Sequence, residues 1–456
     1  MCTGNLPEPF GIDKRDFSLC FSRPSLRHFV MLVVGWVLTV GRHTISRVIL
    51  SVGAHEREHF ASLYRFLSRG VWSWDSVSWM VFRIIHRTFL ADATEVVCVV
   101  DDTLNKHWGK KICGAGYQHD GSVPKGDPPV RFGVCFVLMG VMVRLPGISE
   151  RVFCLPFAAR LWCPDNAPVR PKRLVIRKKP ELARELIAMV REWLDEDVVL
   201  KVVTDIGYST KTILRERPTG VEVTGKIRTH SALYEVWEAD EAAPRRQGRP
   251  NKKGKRLPQP KAMFASVDTP WRISRIPLYG KEASVMVHEF KAVWARSAGN
   301  VPLKIVLARD PKGIHDDCVF FDTDTERPAE AVLGTYSGRW GVEIAIRETK
   351  GLLGSADPQC RSEKSVFRAP MIAYWAYCLV VVWFVEQYRR GATLGFIQSP
   401  WYRQKKDISF SDMLAAARRS HFASVFSGEP AHMQTLPKFN PARSTRQRDL
   451  TKRAKL

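Results

Sequence analysis

The chain has 456 residues, in which 70 lysines and arginines face 46 aspartates and glutamates for a formal net charge of +24, and its pI is near 9.8. That length exceeds one comfortable core and predicts two to three folding units, with 45% hydrophobic residues to fill them. The cationic excess calls for a polyanionic partner, most commonly nucleic acid, and it has no role in the chemistry of a glycosidase, the other frequent user of paired carboxylates.

In chain order, residues 1–92 read as an all-helical unit. Phe29 to Leu38 is an apolar run, Gly41-Arg42-His43-Thr44 can turn and cap, and Thr44 to Ile49 opens a second helix. This pattern suits a helix-turn-helix that grips DNA, and it suits a plain helical bundle equally well. Trp72, Trp74 and Trp79 read as core residues. The run at Phe29 lies too far into the chain, and lacks the cleavage site, for a secretory signal.

Residues 93–220 then show the order of a mixed α/β sheet. Glu95 to Val100 is an apolar, β-branched run that ends in Asp101-Asp102-Thr103, and Val198 to Thr204 is a second that ends in Asp205. Both read as buried strands with a carboxylate at the carboxyl end, where open α/β sheets bind ligands. Either aspartate alone would serve as an ordinary turn or helix cap. Between them, Val130 to Leu138 and Glu150 to Pro156 read as strands around the turn Pro146-Gly147. Pro180 to Leu194 reads as a helix, with Leu182, Leu186, Met189, Val190 and Trp193 at helical spacing. A crossover helix of this kind lets the Asp205 strand lie parallel to the Asp102 strand and brings the two acids together.

Residues 221–330 hold further strand patterns at Val221 to Ile227, Trp271 to Leu278 and Leu303 to Ala308, and read as an inserted, mostly β subdomain. Within it, Arg245, Arg246, Arg249, Lys252 and Lys253 belong to a run with no acid. Such a run is a solvated loop or a phosphate contact, and its Gly-Arg-Pro core is suited to a narrow minor groove.

In residues 331–395, Tyr336, Arg339, Glu343 and Lys350 stand at offsets of zero, three, seven and fourteen. At 100° per residue these offsets fall within an arc of about 60°, so one helix face carries a phenol, a guanidinium, a carboxylate and an ammonium. A carboxylate for a hard divalent cation beside two groups for phosphate oxygens is one reading, and a solvated face of spaced ion pairs is the other. Two strand-end aspartates and a helical glutamate make three oxygen ligands from separate parts of the chain, a set for magnesium or manganese rather than zinc. Met371 to Val385 is apolar but about fifteen residues long, short of the roughly 20 that span hydrocarbon, and reads as a buried helix rather than a membrane one. Residues 396–456 read as a helical and basic C-terminal tail, whose end, Arg443 to Lys455, has the composition of a disordered segment. The ten cysteines contain no Cys-x-x-Cys pair and read as reduced core residues; His107, His119 and His230 are scattered surface or DNA-contact candidates. No nucleotide-binding glycine loop is present.

The order Asp102, Asp205, Glu343, with Tyr336-Ser337-Gly338-Arg339-Trp340-Gly341-Val342-Glu343 and Lys350 beyond it, resembles the DDE transposases of bacterial cut-and-paste insertion sequences. It is similar to the group with a tyrosine–arginine–glutamate–lysine signature around the last acid. The resemblance covers roughly residues 95 to 380. It implies a ribonuclease-H-like catalytic core, with the all-α N-terminal domain binding DNA ends. It also implies that Asp102, Asp205 and Glu343 hold two Mg²⁺ or Mn²⁺ ions, and that Tyr336, Arg339 and Lys350 grip phosphates near the cut. The implied partners are double-stranded DNA with terminal inverted repeats, target DNA and a second protomer in a synaptic homodimer, in a cytoplasmic, nucleoid-associated protein. Asp102 is preferred to Asp101 because the family's aspartate directly precedes threonine. The rival functions are a transposase-derived DNA-binding protein and a nuclease on the same core that cuts without joining.

Overall fold

The computed structural model describes residues 14–427 except 122, 125, 173–176, 238–253, 279–280, 393, 395–399, 402–404 and 406. The expected contacts Arg245, Arg246, Arg249, Lys252 and Lys253 and the basic tail therefore lie outside the described residues.

Six helices come first: α1 (Lys14–Phe17), α2 (Arg23–Leu38), α3 (Ile45–Ser51), α4 (Ala54–Arg57), α5 (Phe60–Ser68) and α6 (Trp74–Phe89). The expected turn is present. Gly41 takes a left-handed φ of 80°, and the Thr44 hydroxyl accepts from the Arg47 amide at 3.4 Å to cap α3. Gly35 marks where α2 crosses α3, since a Cβ there would meet the Val48 carbonyl oxygen at 2.6 Å.

Strands β1 (Glu95–Lys106), β2 (Gly116–His119), β3 (Val130–Leu145) and β4 (Ser149–Trp162) follow, then α7 (Lys179–Glu192) and β5 (Val199–Thr204). The helix α7 begins at Lys179, with Pro180 in its first turn and the Glu181 carboxylate accepting from the Lys178 amide at 2.8 Å, and buries Leu182, Leu186 and Val190. After it come α8 (Lys211–Leu214), β6 (Val221–Ile227), α9 (Pro260–Ala265), β7 (Arg272–Leu278), β8 (Lys281–Val293), β9 (Pro302–Arg309) and β10 (Cys318–Asp322). The chain continues with α10 (Ala329–Gly338), α11 (Trp340–Leu352), α12 (Glu363–Arg389) and α13 (Phe410–Ser427).

Among the described residues, all ten strands belong to one sheet, ordered β2-β3-β1-β5-β6-β10-β9-β8-β7, with β4 also on β3. The centre is parallel, β1 on β5 and β5 on β6, while β3 runs antiparallel to β1. This mixed α/β sheet is consistent with a ribonuclease-H-like fold. Strands β7 to β10 extend the sheet outward from β6, each antiparallel to its neighbour. They carry a smaller apolar cluster of their own, in which Ile276, Val287, Val306 and Phe320 pack against Val332 and Leu333 of α10.

The N-terminal helices share the main core with the sheet. Phe29, Trp36, Phe66 and Trp72 lie in the same cluster as β1, β4 and α12, and the Trp36 indole donates to the Leu353 carbonyl at 2.9 Å. Helix α12 is longer than its apolar centre suggested. Its 27 residues are enough, by length and composition, to cross a membrane, but 94% of its apolar window is buried inside the protein. It is the central core helix, packed between the N-terminal helices and β4.

Candidate functional site

Parallel pairing of β1 with β5 decides which acids meet. Val100 and Thr204 are the last partners in register, so Asp101 and Asp205 follow one step later on the same face, and Asp102 points to the other. Asp205 lies close enough to Asp101 to raise its pKa. A cleft of about 1280 Å³ opens at this end of the strands, lined by Asp101, Asp102, Asp205, Arg339, Glu343 and Lys350 among others. Glu343 arrives on α11, which lies close on β4 because residue 341 is glycine: a Cβ there would stand 3.1 Å from the Val152 carbonyl oxygen.

Arg339 links two of the acids. Its Nη1 donates to Asp101 Oδ2 at 3.1 Å and its Nη2 to Glu343 Oε1 at 2.6 Å. The guanidinium carbon lies 5.6 Å from the centre of the Tyr336 ring. Burial pushes the Asp101 carboxyl up to about 7 even though Arg339 opposes the shift. Burial acts to lower the Arg339 pKa, but Tyr336, Asp101 and Glu343 more than offset it, so the guanidinium stays charged.

The four signature residues do not share one uninterrupted helix. The break falls at Arg339, where Arg339 N donates to Tyr336 O and Val342 N to Arg339 O, both at 3.0 Å. These three-residue bonds tighten the chain between α10 and α11. Arg339 keeps right-handed dihedrals (φ −54°, ψ −33°), so the direction of the helix is nearly preserved. Tyr336 does not line the cleft; its ring packs 4.7 Å from that of Phe320, beneath Arg339. Lys350 lines the cleft wall, donates to the Leu104 carbonyl at 2.9 Å, and burial lowers its pKa to about 8.

Asp102 and Asp205 are held differently. Asp102 Oδ1 accepts from the Tyr208 hydroxyl at 3.3 Å, while Oδ2 accepts from Cys135 Sγ at 3.3 Å and from Lys179 Nζ. Asp205 Oδ1 accepts the amides of Gly207 at 2.9 Å and Tyr208 at 3.0 Å. Of the histidines singled out in the sequence, His107 and His119 line the cleft, but its further cations were not legible as a site. Arg42, Lys106, Arg347 and Arg361 line it, as does Trp108, which is 95% exposed. Arg42 reaches the cleft because the α2–α3 turn docks there, the His43 amide donating to Asp357 Oδ2 at 2.7 Å.

Among the described residues, no three carboxylate, histidine or cysteine side chains stand close enough to enclose an ion as they are placed. The donor set nevertheless suits a hard divalent cation: three carboxylates from separate elements face one cleft, and the half-buried Asp101 has Arg339 as its counter-charge. An ion between Asp101 and Glu343 would take the place that the Arg339 guanidinium holds.

A family model described as DDE superfamily endonuclease matches residues 16–276, more than half of the chain. A second, described as Transposase DDE domain, matches residues 178–379. No curated protein matches the sequence.

Proposed function

Since the chain belongs to the DDE superfamily endonucleases and is a DNA-cleaving transposase, we propose that it cuts DNA at the ends of an insertion sequence and joins the freed 3′-hydroxyls to target DNA. The acids assigned to this work are Asp101, Asp205 and Glu343. The observation that carries the assignment is the β1–β5 register, which sends Asp101 and Asp205 to one face at adjacent strand ends. The proposal thus replaces Asp102, preferred on its neighbouring threonine, with Asp101. Thr103 adjacency says nothing about facing, whereas the pairing does.

These three carboxylates would hold two Mg²⁺ or Mn²⁺ ions, whose chemistry is to make an attacking hydroxyl more anionic and to stabilise the leaving oxygen. The chain's own groups supply the rest. Arg339, released from Asp101 and Glu343, turns its planar fork to a phosphate flanking the cut. Tyr336 supports it from below through its ring face. Lys350 neutralises a second phosphate, and Arg42, Lys106, Arg347 and Arg361 extend the cationic track for the strand. The cationic segment at 245–256 and the helices of residues 14–89 are assigned to element-end binding, with two protomers pairing two ends at their terminal inverted repeats. The charge of +24 supports a DNA partner of that extent.

Purified protein with Mg²⁺ and DNA carrying its element ends should release the element and insert it. Glu343→Gln should bind those ends yet neither cut nor join. Normal cutting by that variant would refute the assignment, and cutting without insertion by the unaltered protein would reduce the function to that of a nuclease.

A further inference from the structure

We infer that Asp102, Tyr208 and Lys179 form a positioning unit that sets the Asp205 carboxylate for cation binding, and that Asp102 itself is not a ligand. The inference rests on the reading of the acidic cleft given above.

Tyr208 touches both aspartates. Its side-chain hydroxyl lies 3.3 Å from Asp102 Oδ1, and its backbone amide lies 3.0 Å from Asp205 Oδ1. The ring is buried, with 3% exposure, and a buried phenol needs its hydroxyl satisfied. Asp102 therefore fixes the Tyr208 side chain, the side chain fixes its own amide, and the amide orients the next acid. The Gly207 amide reinforces the same oxygen at 2.9 Å, in a turn so tight that a Cβ on Gly207 would lie 3.3 Å from Asp205 Oδ1. With Oδ1 held by two amides, Oδ2 is the oxygen left for a cation.

Asp102 is committed elsewhere. Its two oxygens receive a phenol, a thiol and the Lys179 ammonium, and Lys179 also lies 4.9 Å from the Trp162 ring centre. Lys179 opens α7, so the unit ties the crossover helix, β1 and the turn after β5 into one corner. The ammonium offsets the Asp102 charge and so weakens the repulsion that this fourth carboxylate exerts on Asp101. Asp101 has no comparable set: its partners are the Asp102 amide at 2.8 Å and the displaceable Arg339.

The test uses the full-length protein and Mn²⁺ as probe, following the loss of the free-ion electron paramagnetic resonance signal without DNA, with DNA binding and thermal unfolding measured in parallel. Tyr208→Phe, which deletes one oxygen, and Asp102→Asn should each weaken Mn²⁺ binding about 10- to 100-fold, the usual effect of losing a group that orients a ligand. Their DNA affinity should be unchanged, and cleavage should return when Mn²⁺ is raised. Asp101→Asn should lose the binding that raised Mn²⁺ restores in the other two. If Asp102→Asn behaves like Asp101→Asn, Asp102 is a ligand and the inference fails; it also fails if Tyr208→Phe binds Mn²⁺ as the unaltered protein does. Should Asp102→Asn not fold, Tyr208→Phe and Lys179→Met decide on the same readouts. If the unaltered protein neither binds Mn²⁺ nor cuts DNA, it is the underlying reading of the cleft that falls.

Discussion

Two clusters of charge sit on the same central strands, and they are built to opposite ends. Toward the amino ends of the parallel strands, Lys201 and Asp322, both fully buried, are joined at 2.9 Å. Lys201 also pairs with Glu222. Asp322 accepts from the Thr224 hydroxyl at 2.5 Å and the Asp324 amide at 2.8 Å. Alongside, Arg327 holds Glu95 with two bonds of 2.6 and 3.1 Å. At the carboxyl ends, Asp101 has one amide and one arginine, and that arginine is shared with a glutamate in an open cleft. Burial raises the pKa of Asp322 and of Asp101 alike, but Asp322 is fully buried and Asp101 only partly, and the number of fixed donors separates them further. The first cluster is closed and ties β5, β6 and β10 together; the second, on the proposed function, is left with charge that a cation and a phosphate backbone would complete.

The largest effect that would sharpen this contrast is on catalysis. Asp101→Asn should lower DNA cleavage by about 10³-fold or more, because a metal site supplies several kcal/mol of transition-state stabilisation and each 1.36 kcal/mol is tenfold. Its unfolding midpoint in denaturant should stay near that of the unaltered protein, since the amide replaces a carboxyl that the fold already disfavours as an anion. A variant that unfolds early would mean that Asp101 is a structural acid.

Lys201→Met should show the reverse. It leaves Asp322 buried without its ammonium, and breaking a buried pair in this way costs about 3–5 kcal/mol. Urea denaturation should register that loss, while cleavage per folded molecule should hold. Loss of cleavage in a fully stable Lys201→Met protein would erase the distinction between the two clusters.

How much of this was legible follows from whether the signal is local. Strand β5 and helix α7 were readable because Val198 to Thr204 is β-branched and Leu182, Leu186 and Val190 keep helical spacing. The strand at Val221 to Ile227 was readable for the same reason. That β7 to β10 would extend the central sheet was not, because the pairing of β10 with β6 joins residues about a hundred apart. Strands β8 and β10 themselves went unread. The cluster of Lys201, Glu222 and Asp322 was likewise invisible, since nothing near any one of them names its partners. The choice between Asp101 and Asp102 turns on register with β5, which no period-two pattern contains. The break at Arg339 is flanked by Gly338 and Gly341, but isolated glycines inside a helical pattern do not by themselves name a break. Arg42 and Trp108 are lone residues whose place in the cleft depends on how distant elements dock.

A smaller effect tests the cleft's adaptable charge through pH. Burial holds Lys350 at about 8, against an ordinary 10.5. Between those values the unfolded chain binds more protons at this residue than the folded one, so its contribution to stability improves as pH rises through the window. The contact with DNA runs the other way, because a phosphate needs the protonated amine. At pH 9 a lysine of pKa 8 is about one-tenth charged, so raising the pH from 7 to 9 at constant ionic strength should weaken DNA binding by up to about tenfold. The effect will be smaller to the extent that the bound phosphate raises the pKa. Lys350→Arg keeps its charge throughout and should flatten the profile, as read by fluorescence anisotropy of a labelled element end. If the arginine variant declines as steeply as the unaltered protein, the titrating group lies elsewhere and Lys350 belongs with the closed, structural charges.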